Sequence, residues 1–156
     1  MKLSNREDIE APLDHVFSRV SDFGAFERRA MREGAKITRQ AGAPVAVGAV
    51  WHIRMPVRGR EREFVSTLTA LDGPESFLVN TQIDGLDFTT QVDLVSLSPK
   101  RTRVAVGIEI RARTLAARLL LQSLKLVKSR LNERFRARMN DYAQGIEDDY
   151  RKNAQS

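Results

Sequence analysis

The tripeptide Asp22-Phe23-Gly24 matches the metal-binding signature of protein kinases, where the aspartate holds magnesium. A kinase also needs a Gly-rich loop, a strand lysine and a catalytic loop carrying Asp and Asn. None of these occurs in the 156 residues, so that chemistry is excluded. His15 and His52 are the natural candidates for acid–base work near neutral pH. They lie far apart and no cysteine accompanies them, which argues against a zinc site. His52 neighbours Trp51 but in the opposite strand phase, and His15 sits in a short helix, so both read as surface histidines. Only a β-bulge would turn His52 or Asp87 inward. The run RGRERE sets Arg58, Arg60 and Arg62 among Glu61 and Glu63. This alternation reads as an exposed hairpin rim, within reach of a phosphate or acidic head group.

The elements that must position such residues follow from composition and pattern. A chain of this length forms one domain, residues 1–156, large enough to bury a core or enclose a pocket. The absence of cysteine excludes disulfides and thiolate metal sites and points to a reducing, cytoplasmic location. The opening MKLSNREDIE lacks the apolar stretch of a secretory signal, and no apolar run is long enough to span a membrane. Twenty-six Lys and Arg against 20 Asp and Glu leave a net charge of +6, which attracts phosphates on lipid or nucleic acid.

In IEAPLDHVFSRVSDF, Pro12 suits a helix start, Asp14 favours the N-terminal dipole, and Val16, Phe17 and Val20 share a face. Gly24 would stop that helix as a C-terminal cap, and AFERRAMRE would form a second one ending at Gly34. Asp22-Phe23-Gly24 then marks a helix-to-helix corner. From residue 35 to about 112 the period is two. Trp51, Ile53, Met55 and Val57 share one face, and Val104, Val106, Ile108 and Ile110 share another. Asp84-Gly85 is a hairpin signal. From Leu115 to about Tyr150 the period is helical, and one helix would reach roughly 50 Å. Leu120, Leu124, Val127, Leu131, Phe135, Tyr142 and Ile146 form its stripe. A sheet with one wet face must cover the other, and this helix is the only element large enough. The fold class is α+β.

This order resembles the START-like (SRPBCC) superfamily, which includes the birch-pollen-allergen fold and the polyketide cyclase/dehydrase and lipid-transport proteins. IEAPLDHVFSRVSDF is similar to the family's Ile-x-Ala-Pro opening, and GAVW (Gly48 to Trp51) to its Gly-x-x-Trp motif. LTALDGPESFLV, SPKRTRVAV and LKLVKSRLNERFRARM resemble its strand–turn–strand, its Thr-x-Val strand and its basic closing helix. Asn5, Glu7 and Asp8 depart from it by making the first strand unusually polar.

The resemblance implies a helix-grip fold, in which a curved antiparallel sheet wraps a long C-terminal helix around a ligand cavity. On that basis Trp51, Ile53, Met55, Phe64, Phe77, Phe88 and Thr90 line the cavity from the sheet. Leu120, Leu124 and Val127 line it from the helix, and Phe23, Phe26 and Met31 stand at the entrance. The strand faces assigned inward carry hydroxyls such as Thr81 and Thr90 but no ionisable group. The expected function is therefore binding or transport of a lipid, quinone or polyketide-like molecule, without metal, cofactor or catalytic residue. The alternatives are a cyclase/dehydrase-type enzyme in the same cavity, or a basic-surface protein that binds RNA, a ribosome or a protein partner. Few aromatics stand among the basic residues, which speaks against stacking on nucleic acid. Between Glu109 and Glu133 there is no acidic residue, while Arg111, Arg113, Arg118, Lys125, Lys128 and Arg130 accumulate. Leu115, Leu119 and Leu126 form a second apolar stripe there. A basic helix of this kind suits an anionic membrane surface, a dimer contact or a covering loop.

Overall fold

The computed structural model describes residues 1–40, 45–57 and 59–155. The chain runs β1 (Lys2–Ile9), α1 (Leu13–Val20), α2 (Phe23–Arg32), β2 (Lys36–Gln40), β3 (Val50–Val57), β4 (Arg60–Asp72), β5 (Ser76–Ile83), β6 (Leu86–Ser98), β7 (Arg101–Ala112), α3 (Leu115–Leu126) and α4 (Lys128–Gln155). The seven strands form one sheet in the order β1-β7-β6-β5-β4-β3-β2, every neighbouring pair antiparallel. Strands β2 to β7 are a simple meander, and β1 closes the far edge against β7. With the long helix α4 this is the α+β architecture that the pattern implied and the helix-grip arrangement that the resemblance implied. No described helix is long and apolar enough to cross a membrane.

The meander forms because each run alternates and each turn has suitable residues. Asp84 and Gly85 both take positive φ, +48° and +76°, as a type I′ hairpin turn requires. A Cβ on Gly85 would also meet the Thr114 hydroxyl at 2.6 Å. That hydroxyl caps α3 by accepting the Ala117 amide at 3.1 Å, so this turn and the start of the helix are built against each other.

The first corner differs from the expected one. α1 ends at Ser21, whose hydroxyl donates to the Phe17 carbonyl at 2.6 Å, and not at Gly24. Asp22 is the N-cap of α2, its carboxylate accepting the Ala25 amide at 3.0 Å, and Gly24 lies within the first turn. A short acidic side chain satisfies the exposed amides at a helix start, so Asp22 opens the second helix where the glycine was expected to close the first.

Two separate apolar clusters hold the inner face of the sheet. The larger joins Ile9, Val16, Trp51, Leu68, Phe77 and Val92 to Ala143 and Ile146 of α4. Full burial of each large side chain is worth about 1.5–3 kcal/mol. Thr102, fully buried there, donates its hydroxyl to the Ala11 carbonyl at 2.8 Å. The smaller cluster joins Leu86 and Ile110 to Ala117 and Leu121 of α3.

The expected single C-terminal helix is broken at Val127, whose φ −112° and ψ 20° leave the helical region. Neither Gly nor Pro marks the break. The two segments serve different surfaces: α3 packs on β7, and α4 on β1 and α1. A straight rod cannot follow both ends of a curved sheet. The break also rotates the apolar face of α3, so that Ala117 and Leu121 are buried while Leu120 and Val127, expected in the stripe, are exposed.

Tyr142 sits where α4 crosses α1. Its hydroxyl donates to the Arg19 carbonyl at 3.1 Å, and burial, with Asp22 adding to it, pushes its pKa up to about 12. A raised folded pKa stabilises fully below the unfolded value and loses its contribution as pH rises through the folded one. Denaturant unfolding of wild type is therefore expected to weaken between about pH 10 and pH 12, and Tyr142→Phe to flatten that decline. An unchanged alkaline slope in Tyr142→Phe would rule out this origin. Gly59 also has positive φ, +74°, but faces open space. Gly59→Ala should cost about 1 kcal/mol, and Gly85→Ala at least about twice that through its clash with Thr114, in the same unfolding assay.

Candidate functional site

Pairing across the sheet identifies every residue that faces the helices. Trp51 stands opposite Ser66, Ile53 opposite Phe64, and Met55 opposite Arg62. Ser66 stands opposite Thr81, Thr81 opposite Phe88, and Val79 opposite Thr90. The closed clusters occupy the two ends of this face. Between them lie Met55, Phe64, Ser66, Thr81 and Thr90, which belong to neither cluster and stay half-buried. Leu124 of α3 and Leu131, Phe135 and Met139 of α4 are half-buried as well. The last three lie at helical spacing from Ile146, on the face of α4 that looks towards the sheet. The middle of the inner face is thus apolar, flanked by packed ends, and incompletely covered. Its polar groups are the Ser66 and Thr81 hydroxyls, 2.8 Å apart, and Thr90.

The expected cavity residues divide accordingly. Met55, Phe64, Thr90 and Leu124 surround the middle, with Ile53 at its border against the larger cluster and Phe88 at its border against the smaller. Trp51 and Phe77 are buried in that cluster, Trp51 with only 6 % of its surface exposed. Phe23, expected at the mouth, packs between them, its ring 5.6 Å from Trp51 and 5.3 Å from Phe77. Phe26, exposed, stacks loosely on Tyr142 at 6.2 Å, and Met31 is exposed on α2.

The expectation of an inner face without ionisable groups is overturned at three places. Arg39 on β2 pairs with Trp51 and so shares its face. Its guanidinium lies 3.7 Å from Glu27 of α2, whose carboxylate accepts the Trp51 indole N–H at 2.6 Å. Arg62 shares the face of Met55 and forms an ion pair with Asp84, so it is no part of an outward rim. Asn5 and Glu7 on β1 pair with Val106 and Val104, facing inward. Glu7 accepts from Asn5 at 3.0 Å and from Asn140 of α4 at 3.4 Å. Period two contains this signal: Arg62 has the parity of Phe64, and Asn5 and Glu7 that of Leu3 and Ile9. Arg39 needs the β2–β3 register, which no local pattern supplies.

The remaining candidates stay outside. His52 lies 3.9 Å from Glu63, its direct neighbour being Val65. His15 stacks on Tyr150 at 5.1 Å. Asp87 keeps its outward phase and pairs with Arg113 at 3.0 Å. The bulges lie elsewhere, between Leu68 and Ala70 and between Ser96 and Ser98. Arg60 is exposed, and Arg58 lies outside the described residues. On the outer face Arg103 donates to Asp8 at 2.8 Å and, by that hydrogen bond, holds its carboxyl below the usual range. A dent of about 210 Å³ over Gly107 also opens on that outer face, among Lys2, Ser4, Thr89 and Gln91.

Wall and core should respond differently to truncation. Trp51→Ala is expected to lower stability by about 3–5 kcal/mol, and Phe64→Ala by only about 1–2 kcal/mol, in urea unfolding. Equal losses would mean that the middle of the face is packed solid.

Comparison with known proteins agrees with this fold. The family profile described as "Polyketide cyclase / dehydrase and lipid transport" matches residues 1–147. No curated protein matches the chain. Among solved structures, norcoclaurine synthase from Thalictrum flavum, in complex with dopamine and hydroxybenzaldehyde, is similar with a TM-score of 0.65 and 15% identity, over 94% of this chain and 85% of that one. Zhui aromatase/cyclase from Streptomyces sp. R1128 is similar with a TM-score of 0.62 and 15% identity, over 94% and 93% of the two chains. A START superfamily protein from Mycobacterium smegmatis is similar with a TM-score of 0.54 and 16% identity, over 85% and 95%. At such identities the likeness concerns the fold.

Proposed function

The chain belongs to the polyketide cyclase / dehydrase and lipid transport family, and on that premise we propose that it binds and carries an apolar small molecule, of lipid, quinone or polyketide-like type, in the middle of its inner sheet face. One observation carries the reading: two packed clusters leave between them a band of apolar side chains that the described residues cover only in part. Such a band gains by burial against a ligand at about 25 cal/mol per Å², so about 300 Å² of apolar contact supplies roughly 7 kcal/mol before the cost of association. Selection falls to the few hydroxyls present. Ser66 and Thr81 already satisfy each other, which leaves Thr90 as the group that orients a carbonyl or hydroxyl of the ligand. Arg62 borders the band and Arg39 stands beside Trp51 of the larger cluster, each next to its own carboxylate, so neither presents an uncompensated charge to an apolar guest.

A second reading, a cyclase- or dehydrase-type enzyme in the same space, is favoured by Arg62, a charged group on the inner face beside Phe64 and Met55. The two are separated by identifying what the protein holds. Native mass spectrometry of freshly purified protein, followed by solvent extraction, is expected to show a stoichiometric apolar adduct, lost in Thr90→Phe with the melting temperature retained. No adduct, even after incubation with membrane lipid extract, would remove the carrier reading. Conversion of the extracted molecule by the purified protein, abolished in Arg62→Gln, would replace it with the enzyme.

A further inference from the structure

We infer that the outer face of α3, with the first turn of α4, is a docking surface for an anionic lipid bilayer. Leu115, Leu119 and Leu126 recur at spacings of four and seven and are 74%, 59% and 88% exposed. They form a row about 17 Å long, opposite the buried Ala117 and Leu121 that fasten the helix to β6 and β7. Arg118 and Lys125 flank the row on one side, and Lys128 and Arg130 follow directly after the break at Val127. None of these four cations has a carboxylate within ion-pair distance among the described residues. By contrast Arg113 and Arg111, just before the helix, are paired with Asp87 and Glu109. Among the described residues the row is also uncovered: only Arg113 and Thr114 connect β7 to α3, too short a stretch to fold back over it.

The chemistry of the face selects its partner. A second copy of the chain, apposed through the same row, would bring two sets of unpaired cations together without one carboxylate between them. Nucleic acid would match the cations and leave the leucines, which hold the centre of the face, against phosphate. A bilayer bearing anionic head groups accepts both at once, leucines into the acyl boundary and cations at the phosphates, with Arg and Lys stems spanning the depth between. The argument stands on this surface alone, whatever the protein carries.

The test is co-sedimentation with vesicles of phosphatidylcholine, with and without phosphatidylserine, at near-physiological salt. Binding is expected only to vesicles containing phosphatidylserine, and it should weaken as salt rises. Each cation contributes about fivefold in binding, so Arg118→Glu/Lys125→Glu should lose more than tenfold. Leu126→Ser should lose several-fold, with the circular dichroism of wild type in both variants, since Ala117 and Leu121 are untouched. Arg32→Glu, at the exposed end of α2, which packs on β2 at the sheet edge away from β7, should bind as wild type. Equal binding to both vesicle types would overturn the inference, as would wild-type binding by the α3 variants or an equal loss in Arg32→Glu. A dimer of the free protein that Leu126→Ser dissolves would assign the face to self-association instead.

Discussion

Covering the apolar face of a seven-stranded sheet is the constraint from which the other features follow. A sheet of this width curves, and its inner face offers more apolar surface than one helix can touch. The protein meets this with three fastenings at two ends. Near one end α1 and α2 press Val16, Val20 and Phe23 onto Trp51 and Phe77, while the final turns of α4 add Ala143 and Ile146. At the other, α3 seats Ala117 and Leu121 on Leu86 and Ile110. What lies between is held in shape by the sheet's own hydrogen bonds and covered only in part. The break at Val127 belongs to the same constraint, because α3 and α4 answer to different ends of the sheet.

Charge is distributed by the same logic. On the outer, wet face, cations and carboxylates meet across strands, as Arg103 does with Asp8 and Arg101 with Asp8 and Glu10. Such exposed pairs contribute little to stability but prevent like charges from standing opposite one another. On the inner face each charge is tied to a partner: Arg39 to Glu27, Arg62 to Asp84, Glu7 to Asn5 and Asn140. A charge turned towards a low-dielectric space has to be neutralised locally. Of these pairs Arg62–Asp84 borders the apolar band, whose centre is left to Phe64, Thr81 and Thr90. Four further cations without an ion-pair partner among the described residues, Arg118, Lys125, Lys128 and Arg130, stand close together on α3 and the start of α4.

These two distributions are spatially related. Leu124 and Leu131, on either side of the break at Val127, are half-buried, and the basic, leucine-rich surface is the outside of that same junction. Leu124 looks inward from the helix that carries Leu119 and Leu126 outward. α3 is short, joined to the strand before it by two residues and to α4 by one non-helical residue. It is attached to the sheet mainly through Ala117 and Leu121, so fewer buried contacts hold it than hold the body of the molecule.

The fold was legible because its determinants are local and repeated. Period two over β3 to β7, the Asp84-Gly85 turn and the amphipathic C-terminal segment each state their structure within a few residues, and the burial of one face follows from alternation alone. The inward Asn5, Glu7 and Arg62 were legible by the same parity. Three matters were decided only by packing in space. Ser21 closed the first helix and Asp22 opened the second, leaving Gly24 without its expected capping role, because the choice of cap depends on where the next helix begins. The C-terminal helix broke at an ordinary valine because two surfaces, distant in sequence, demanded different axes. Trp51 and Phe77 are buried while Phe64 and Thr90 stay half-buried, because alternation assigns a residue to a face of the sheet but not to a depth beneath the helices. That depth depends on where α1, α2 and α3 come to rest, which is a property of the whole chain.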